Sequence, residues 1–458
     1  ARFYPEQKQD EYVFGRCGEI ATKVYTPAVH PREPFETGRQ LFKSPFYERE
    51  VALGGYFMEA AGWERAHGYA ANEPTLLVKY RDQIPQRMNE WDSRHFWEVS
   101  NAEQLALSDD VGMVNLSHFA IYDIDGQSAE PLLEYLAVAK VGGATQVGKG
   151  VYTHFLDEKG GIRADLTIVR LSEDCFRVIC GGGTGHRDLV WIKQMAAARH
   201  ADIEIHNRTH QLATLGLWGP NARKVLASLV DDPNAVSDAK FPFATAANIE
   251  IEGIKIWAFR ISYVGELGWE LYFDFADGLQ LWDLFADAGV NPVGIETYAN
   301  SRRLEKSLRL QNADLETDYN LHEADLARKL VKKADFHGKA AYVAQKAADQ
   351  QASYLCTMVM LKNVDASGVA RYPVGEWPIL NKETREVLLD ELGRRSICTS
   401  VEYGPSLGSN IILGYIPAEF ASVGTELLLE YFCEEYPIRI EAVGYAPLLD
   451  PENLRVRS

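Results

Sequence analysis

Between Gly148 and Leu166 the chain reads Gly-Lys-Gly-Val-Tyr-Thr-His-Phe-Leu-Asp-Glu-Lys-Gly-Gly-Ile-Arg-Ala-Asp-Leu. Two strand-like runs flank a turn at Lys159-Gly160-Gly161, which predicts a hairpin of strands over 150–156 and 162–170. The second run carries one carboxylate, Asp165, between Ile162 and the apolar residues Leu166, Ile168 and Val169. An acid among strand residues is costly to bury unless it has partners or a task. The fold must therefore supply surroundings for Asp165. Taken alone, the stretch favours an aspartate that caps backbone near a turn.

The 458 residues are too many for one ordinary core, so two to four domains are expected. A net charge of -18 argues against nucleic acid or an anionic membrane as the main partner. A local basic pocket for a small anionic ligand stays compatible with it. Cys17, Cys175, Cys180, Cys356, Cys398 and Cys433 form no C-x-x-C pair, which points away from disulfides and zinc and toward a reducing cytoplasm. No apolar run is long enough for a membrane helix.

Along the chain, Phe46, Val51, Leu53, Phe57 and Met58 partly follow helical spacing, predicting a helix from Pro45 to about Ala61. Helices are expected over 102–111, 129–137 and 221–229, a strand over 119–126 and a hairpin over 249–257. The loop Gly181-Gly-Gly-Thr-Gly185 follows a strand and precedes a helix. Such a loop can hold a phosphate on free backbone N–H groups or serve only as a turn. The run Arg260-Ile-Ser-Tyr-Val-Gly-Glu-Leu-Gly-Trp-Glu270 reads as a hairpin with surface acids. A carboxylate there can also accept two adjacent N–H groups. From Ser353 the pattern is β-rich. His206 and His210 have the spacing of metal ligands, but the preceding residues alternate like a strand, so no metal is expected. No Gly-x-Ser-x-Gly elbow supports serine hydrolysis.

Several of these motifs together resemble the glycine-cleavage T-protein (aminomethyltransferase) family: Tyr152-Thr153, Gly160-Gly161-Ile162, Asp165, Trp218-Gly-Pro220, Tyr263 to Glu270, and Tyr298-Ala-Asn-Ser-Arg-Arg-Leu-Glu305. Ser44 to Glu50, Ala61 to Arg65 and the start Ala1 to Pro5 are similar to the folate-binding half of dimethylglycine and sarcosine dehydrogenases and its junction with their flavin domain. The resemblance implies an α+β multidomain fold. It divides into residues 1–90 (a junction-like segment), 91–350 (a folate-binding core of two α/β subdomains) and 351–458 (a β-barrel-like domain). It implies Asp165 as the catalytic residue. It also implies that Tyr152, Thr167, Gly181, Tyr263, Glu270, Tyr298 and Arg303 join Asp165 in contacting tetrahydrofolate. Two positions depart from the family: Gly181 stands where it has Asn, and Ala299 where it has Arg.

The function so implied is transfer of a methylene or methyl group to tetrahydrofolate as co-substrate. No flavin or nicotinamide fingerprint is present, so no flavin, NAD or metal is expected and the carbon keeps its oxidation state. That favours an aryl methylenedioxy or methoxy donor, as in sesamin-type methylene transferases and aryl O-demethylases. Two alternatives stand beside it: a folate subunit serving a separate flavoprotein dehydrogenase of dimethylglycine or sarcosine, and a non-catalytic folate-binding subunit.

Overall fold

The computed structural model describes residues 4–25, 30, 32–93, 96–142 and 146–457 of this mixed α/β, multidomain chain. Residues 1–3, at the expected flavin-domain junction, lie outside the described residues.

The predicted hairpin forms. Gly150–Leu156 pairs antiparallel with Ile162–Arg170. Its turn is fixed by Asp157, whose Oδ1 accepts from the N–H groups of Lys159 and Gly161, each at 2.8 Å. Side chains alternate along the second strand. Ile162, Ala164, Leu166 and Ile168 are buried, whereas Arg163, Asp165 and Thr167 occupy the opposite, half-open face.

This hairpin is one edge of a five-stranded sheet. Cys175–Cys180, Ala120–Asp125 and Glu204–Asn207 follow it in space, all antiparallel. The helices Ala129–Leu136 and Gly185–Ala198 cover one face, inserting Leu132, Leu133, Leu136, Leu189 and Ile192 among Leu166, Ile168 and Val178. Each such side chain gains roughly 1.5–3 kcal/mol by leaving water.

A six-stranded sheet runs Ala246–Ile251, Ile254–Phe259, Gly268–Asp274, Leu212–Trp218, Gly112–Asn115 and Asn291–Pro292, with only the last pair parallel. Helices Ala222–Leu229 and Gly278–Asp287 cover its outer face through Leu226, Leu281, Trp282 and Phe285. The inner faces of the two sheets meet at Ile121, Val169, Ile179, Phe259 and Tyr272. Beside that contact Trp218, Val264 and Tyr298 pack with Phe119 and Tyr263, on the side that Asp165 faces.

The last third is a curled antiparallel sheet of six strands. Ile379–Leu380 and Cys398–Gly404 form its edges, and a bridge between Pro378 and Ile397 nearly joins them. Cys356, Met358, Ile412, Leu429 and Ile438 fill its interior.

One expectation is corrected. The helix read over Pro45–Ala61 is a short helix, Tyr47–Ala52, followed by the strand Gly55–Ala60. Gly54 adopts φ +67, which ends the helix, and the strand then pairs with Trp63–Tyr69. His206 lies on the strand Glu204–Asn207, and no group of side chains suited to a metal ion occurs among the described residues. No described helix is long and apolar enough to cross a membrane.

Candidate functional site

Asp165 faces the cleft because of strand periodicity, and its cross-strand partner His154 faces it too. The Tyr152 hydroxyl donates to Asp165 Oδ2 at 3.1 Å and lies 3.3 Å from His154 Nε2. Burial pushes the Asp165 carboxyl up to about 6; the Tyr152 hydrogen bond opposes the rise and the nearby Asp188 charge adds to it. Burial, with Arg328 close by, drives His154 down to about 3, so its ring is neutral. Tyr152 keeps 40% of its surface exposed, while burial of its hydroxyl beside Asp165 raises the phenol well above its ordinary value.

The opposite wall comes from the six-stranded sheet and the turn Thr297–Ser301. Tyr298 stacks on Trp218 with centroids 5.5 Å apart and contacts Tyr263 at 5.2 Å. The Tyr263 hydroxyl donates to the Arg309 carbonyl at 2.6 Å, which fixes the ring. Glu270 is buried and accepts from the Tyr272 hydroxyl at 2.5 Å through Oε2. Burial pushes it up to about 7 against that hydrogen bond. The Tyr298 phenol feels the charges of Glu270, Tyr263 and Asp165, so these residues share one environment.

The other expected residues divide. Thr167 sits on the Asp165 face, opposite Tyr152. Gly181 begins the loop, and a Cβ there would meet only Thr184 Oγ1 at 3.8 Å. The glycine that geometry demands is its neighbour Gly182, where a Cβ would fall 2.1 Å from the His118 carbonyl oxygen. Arg303 is buried and engaged with protein acceptors. It donates to Ala299 O, Leu308 O, Asp314 Oδ2 at 2.5 Å and Ser400 Oγ at 2.6 Å. It thus backs the Tyr263 wall, with four N–H donors already used.

Sequence reading passed over His154 and Asp188. His154 was accessible to it, since it shares Tyr152's face by period two. Asp188 is contributed by the helix Gly185–Ala198 and reaches Asp165 only through tertiary packing. It accepts from Arg187 Nε at 3.3 Å, while its Oδ2 is buried without a donor.

Chemically, the region offers two desolvated carboxylates, Asp165 and Glu270, and the aromatic rings of Tyr152, Tyr263 and Tyr298. A flat ligand with paired N–H donors fits this set: among the described residues only Glu270 Oε2 takes a hydrogen bond, from Tyr272, and the rings provide faces for stacking.

Comparison with known proteins gives three findings. The family model for the GCVT N-terminal domain matches residues 46–334, and that for the glycine cleavage T-protein C-terminal barrel domain matches 375–443. A model for the FAD dependent oxidoreductase central domain matches residues 1–44. The mitochondrial dimethylglycine dehydrogenases of Rattus norvegicus and Homo sapiens are each 32% identical, covering 96% and 92% of this chain but 50% and 47% of their own. The chain thus spans about half the length of the curated relatives it matches. The crystal structure of the glycine cleavage system aminomethyltransferase T from Bartonella henselae shares the fold, with a TM-score of 0.72 at 21% identity over 90% of this chain and 99% of that one.

Proposed function

The chain belongs to the glycine cleavage T-protein family, and on that premise we propose that it transfers a one-carbon unit to tetrahydrofolate in the Asp165 cleft. The observation that carries the reading is that Asp165, bonded by Tyr152 on the inner face of one sheet, stands near the Tyr298–Tyr263 pair that packs beside the other sheet, with Glu270 buried on a strand of that second sheet. Tetrahydrofolate would supply the nucleophilic nitrogens. Glu270 would accept paired N–H groups of the pterin, and Tyr263 and Tyr298 would flank its ring. Asp165 would orient the reacting amine and take its proton, with Tyr152 holding the carboxylate in place. Thr167 and the Gly181 loop would complete the ligand's surroundings, while Arg303 would act by positioning the wall.

For the donor, the observations favour an N-methyl amine whose carbon arrives at the oxidation level of formaldehyde after a flavoprotein has oxidised it. Residues 1–44 carry the flavin-oxidoreductase likeness, and the relatives with twice this length are dimethylglycine dehydrogenases. An aryl methylenedioxy or methoxy donor, which would need no oxidation, has no counterpart among these relatives. Cys175, Cys180, Cys356, Cys398 and Cys433 form no disulfide, in keeping with a reducing compartment such as the cytoplasm.

The test incubates the chain with tetrahydrofolate and each donor, with and without a flavoprotein that oxidises N-methyl amines. Mass spectrometry reads the folate product. Methylene-folate that depends on the flavoprotein is the expected result. Product from a methoxybenzoate or methylenedioxybenzene alone would move the donor to an aryl ether. Bound folate without product in any mixture would leave a folate-binding subunit only.

A further inference from the structure

Tyr152 has one phenolic proton and two groups within reach of its oxygen: Asp165 Oδ2 at 3.1 Å and His154 Nε2 at 3.3 Å. The ionised carboxylate can only accept, and its charge makes it the stronger acceptor, so the proton points to Asp165. The oxygen then turns its lone pairs to His154. A bare Nε2 would set lone pair against lone pair, whereas an Nε2–H donates into that oxygen. The 3.3 Å approach is attractive with the imidazole proton on Nε2 and repulsive without it.

The surroundings of His154 fit that role. The ring is 2% exposed, and burial with the Arg328 charge nearby keeps it neutral. A neutral imidazole has one N–H, so a proton on Nε2 fixes the tautomer. The His154 and Tyr152 rings stand nearly perpendicular, at 77° with centroids 4.9 Å apart, so an edge and not a stacked face makes the contact. The backbone holds both side chains in this relation. Val138 N–H donates to the His154 carbonyl at 3.0 Å, Ala139 N–H to Thr153 Oγ1 at 3.0 Å, and Arg328 to the Tyr152 carbonyl. Across the hairpin His154 stands in register with Asp165.

Other charged and titratable groups reach the trio. Asp188 and Arg187 act on Asp165, Tyr263 and Arg309 on Tyr152, and Arg328 on His154. Among the described residues, however, His154 is the one donor within hydrogen-bond reach of the Tyr152 oxygen. Hydrogen bonds in series polarise one another, so a bond from His154 strengthens the one that Tyr152 gives to Asp165.

We propose that His154 is a positioning residue for the transfer: its Nε2–H donates to Tyr152, which fixes the Tyr152 proton on Asp165 Oδ2 and reserves the other carboxylate oxygen for the folate amine. This rests on the transfer reading above and adds a residue to it. Without His154 the Tyr152 hydroxyl has no second anchor, and the carboxylate loses its fixed orientation.

The first test reads the imidazole directly, in the whole wild-type chain labelled with nitrogen-15 at histidine. NMR should find His154, assigned by its contact with the Tyr152 ring, neutral at pH 7 with its proton on Nε2. A proton on Nδ1 instead, or a charged ring, would overturn the proposal whether or not the chain transfers carbon. The second test is single-turnover transfer at saturating tetrahydrofolate. His154→Leu should slow it by about two- to tenfold, the worth of one hydrogen bond, and cost nothing further in a Tyr152→Phe background. His154→Gln, which keeps a side-chain N–H, should stay within about twofold of wild type. Equal losses in both backgrounds, or H154Q as slow as H154L, would also overturn the role. A wild type that carries the Nε2 proton yet transfers nothing would instead overturn the transfer reading, so the two failures are distinct. The NMR measurement needs no variant and holds even if H154L fails to fold.

Discussion

Asp165 is half-buried at the cleft wall with one hydroxyl donor, and burial holds its carboxyl at about 6. It is ionised at neutral pH yet poorly solvated, which suits a group that must hold and release a proton. Asp165→Asn is expected to keep folate bound while slowing transfer by roughly 10²–10⁴, read by single-turnover kinetics. The same shift has a stability consequence. The folded chain holds this proton more tightly than an unfolded aspartate does, so the charge costs stability above about pH 6. The substitution should therefore raise the melting temperature at alkaline pH, with the gap shrinking as the pH falls from about 6 and closing below about pH 4, where both states become protonated. Glu270, raised to about 7, must be ionised to accept two N–H groups. Folate affinity should fall by up to roughly tenfold per pH unit below about 7, and Glu270→Gln should flatten that slope in fluorescence titrations. Asp165 on its strand was legible in the sequence, and Tyr152 and Thr167 came from the family resemblance; that the three share one face is shown by the strand pairing. Asp188 was not legible, because a helix from the far side of the sheet delivers it. Arg303 was legible as part of a motif, but its partners Asp314 and Ser400 arrive only with the tertiary fold.

At the scale of elements, the strand–loop–helix unit from Cys175 to Ala198 depends on one close approach. Gly182→Ala would drive a Cβ into the His118 carbonyl, and overpacking of this kind costs about 1–3 kcal/mol. Gly181→Ala makes only an ordinary contact with Thr184 Oγ1 at 3.8 Å and should stay within about 0.5 kcal/mol of wild type. Urea unfolding of both variants checks the contrast; equal losses would contradict it. The cluster of four glycines among the five residues 181–185 was visible in sequence, but which of them touches backbone was not, since the contact comes from His118. The hairpin carrying Asp165 was readable because turn glycines and alternation agree locally. The segment 45–61 was misread because Phe57 and Met58 fit a helical period by coincidence, while Gly54-Gly55 marked the break.

Across the whole molecule, buried ion pairs tie the cleft to the curled C-terminal sheet. Arg303 bonds Asp314, and both bond Ser400; Arg302 bonds Glu266, Glu305 and Ser406. Arg303→Met leaves the Asp314 carboxylate buried without its cation, a loss of about 3–5 kcal/mol expected from breaking such a pair. Denaturant unfolding should register that loss, while folate affinity of the remaining folded protein changes little. A loss of affinity without a loss of stability would return Arg303 to the ligand contacts. The β-rich last third was legible from its strands, whereas its near-closure depends on the Pro378–Ile397 bridge between edges, which no local pattern encodes.

The most direct measurement follows an isotope-labelled methyl carbon of dimethylglycine. A flavin-dependent oxidase generates the iminium in the presence of tetrahydrofolate and either the wild-type chain or Asp165→Asn at equal folate occupancy. Label gathering in methylene-tetrahydrofolate with the wild type, and escaping as free formaldehyde with the variant, is the predicted result. Free formaldehyde with both proteins, or equal folate label with both, would contradict transfer at Asp165.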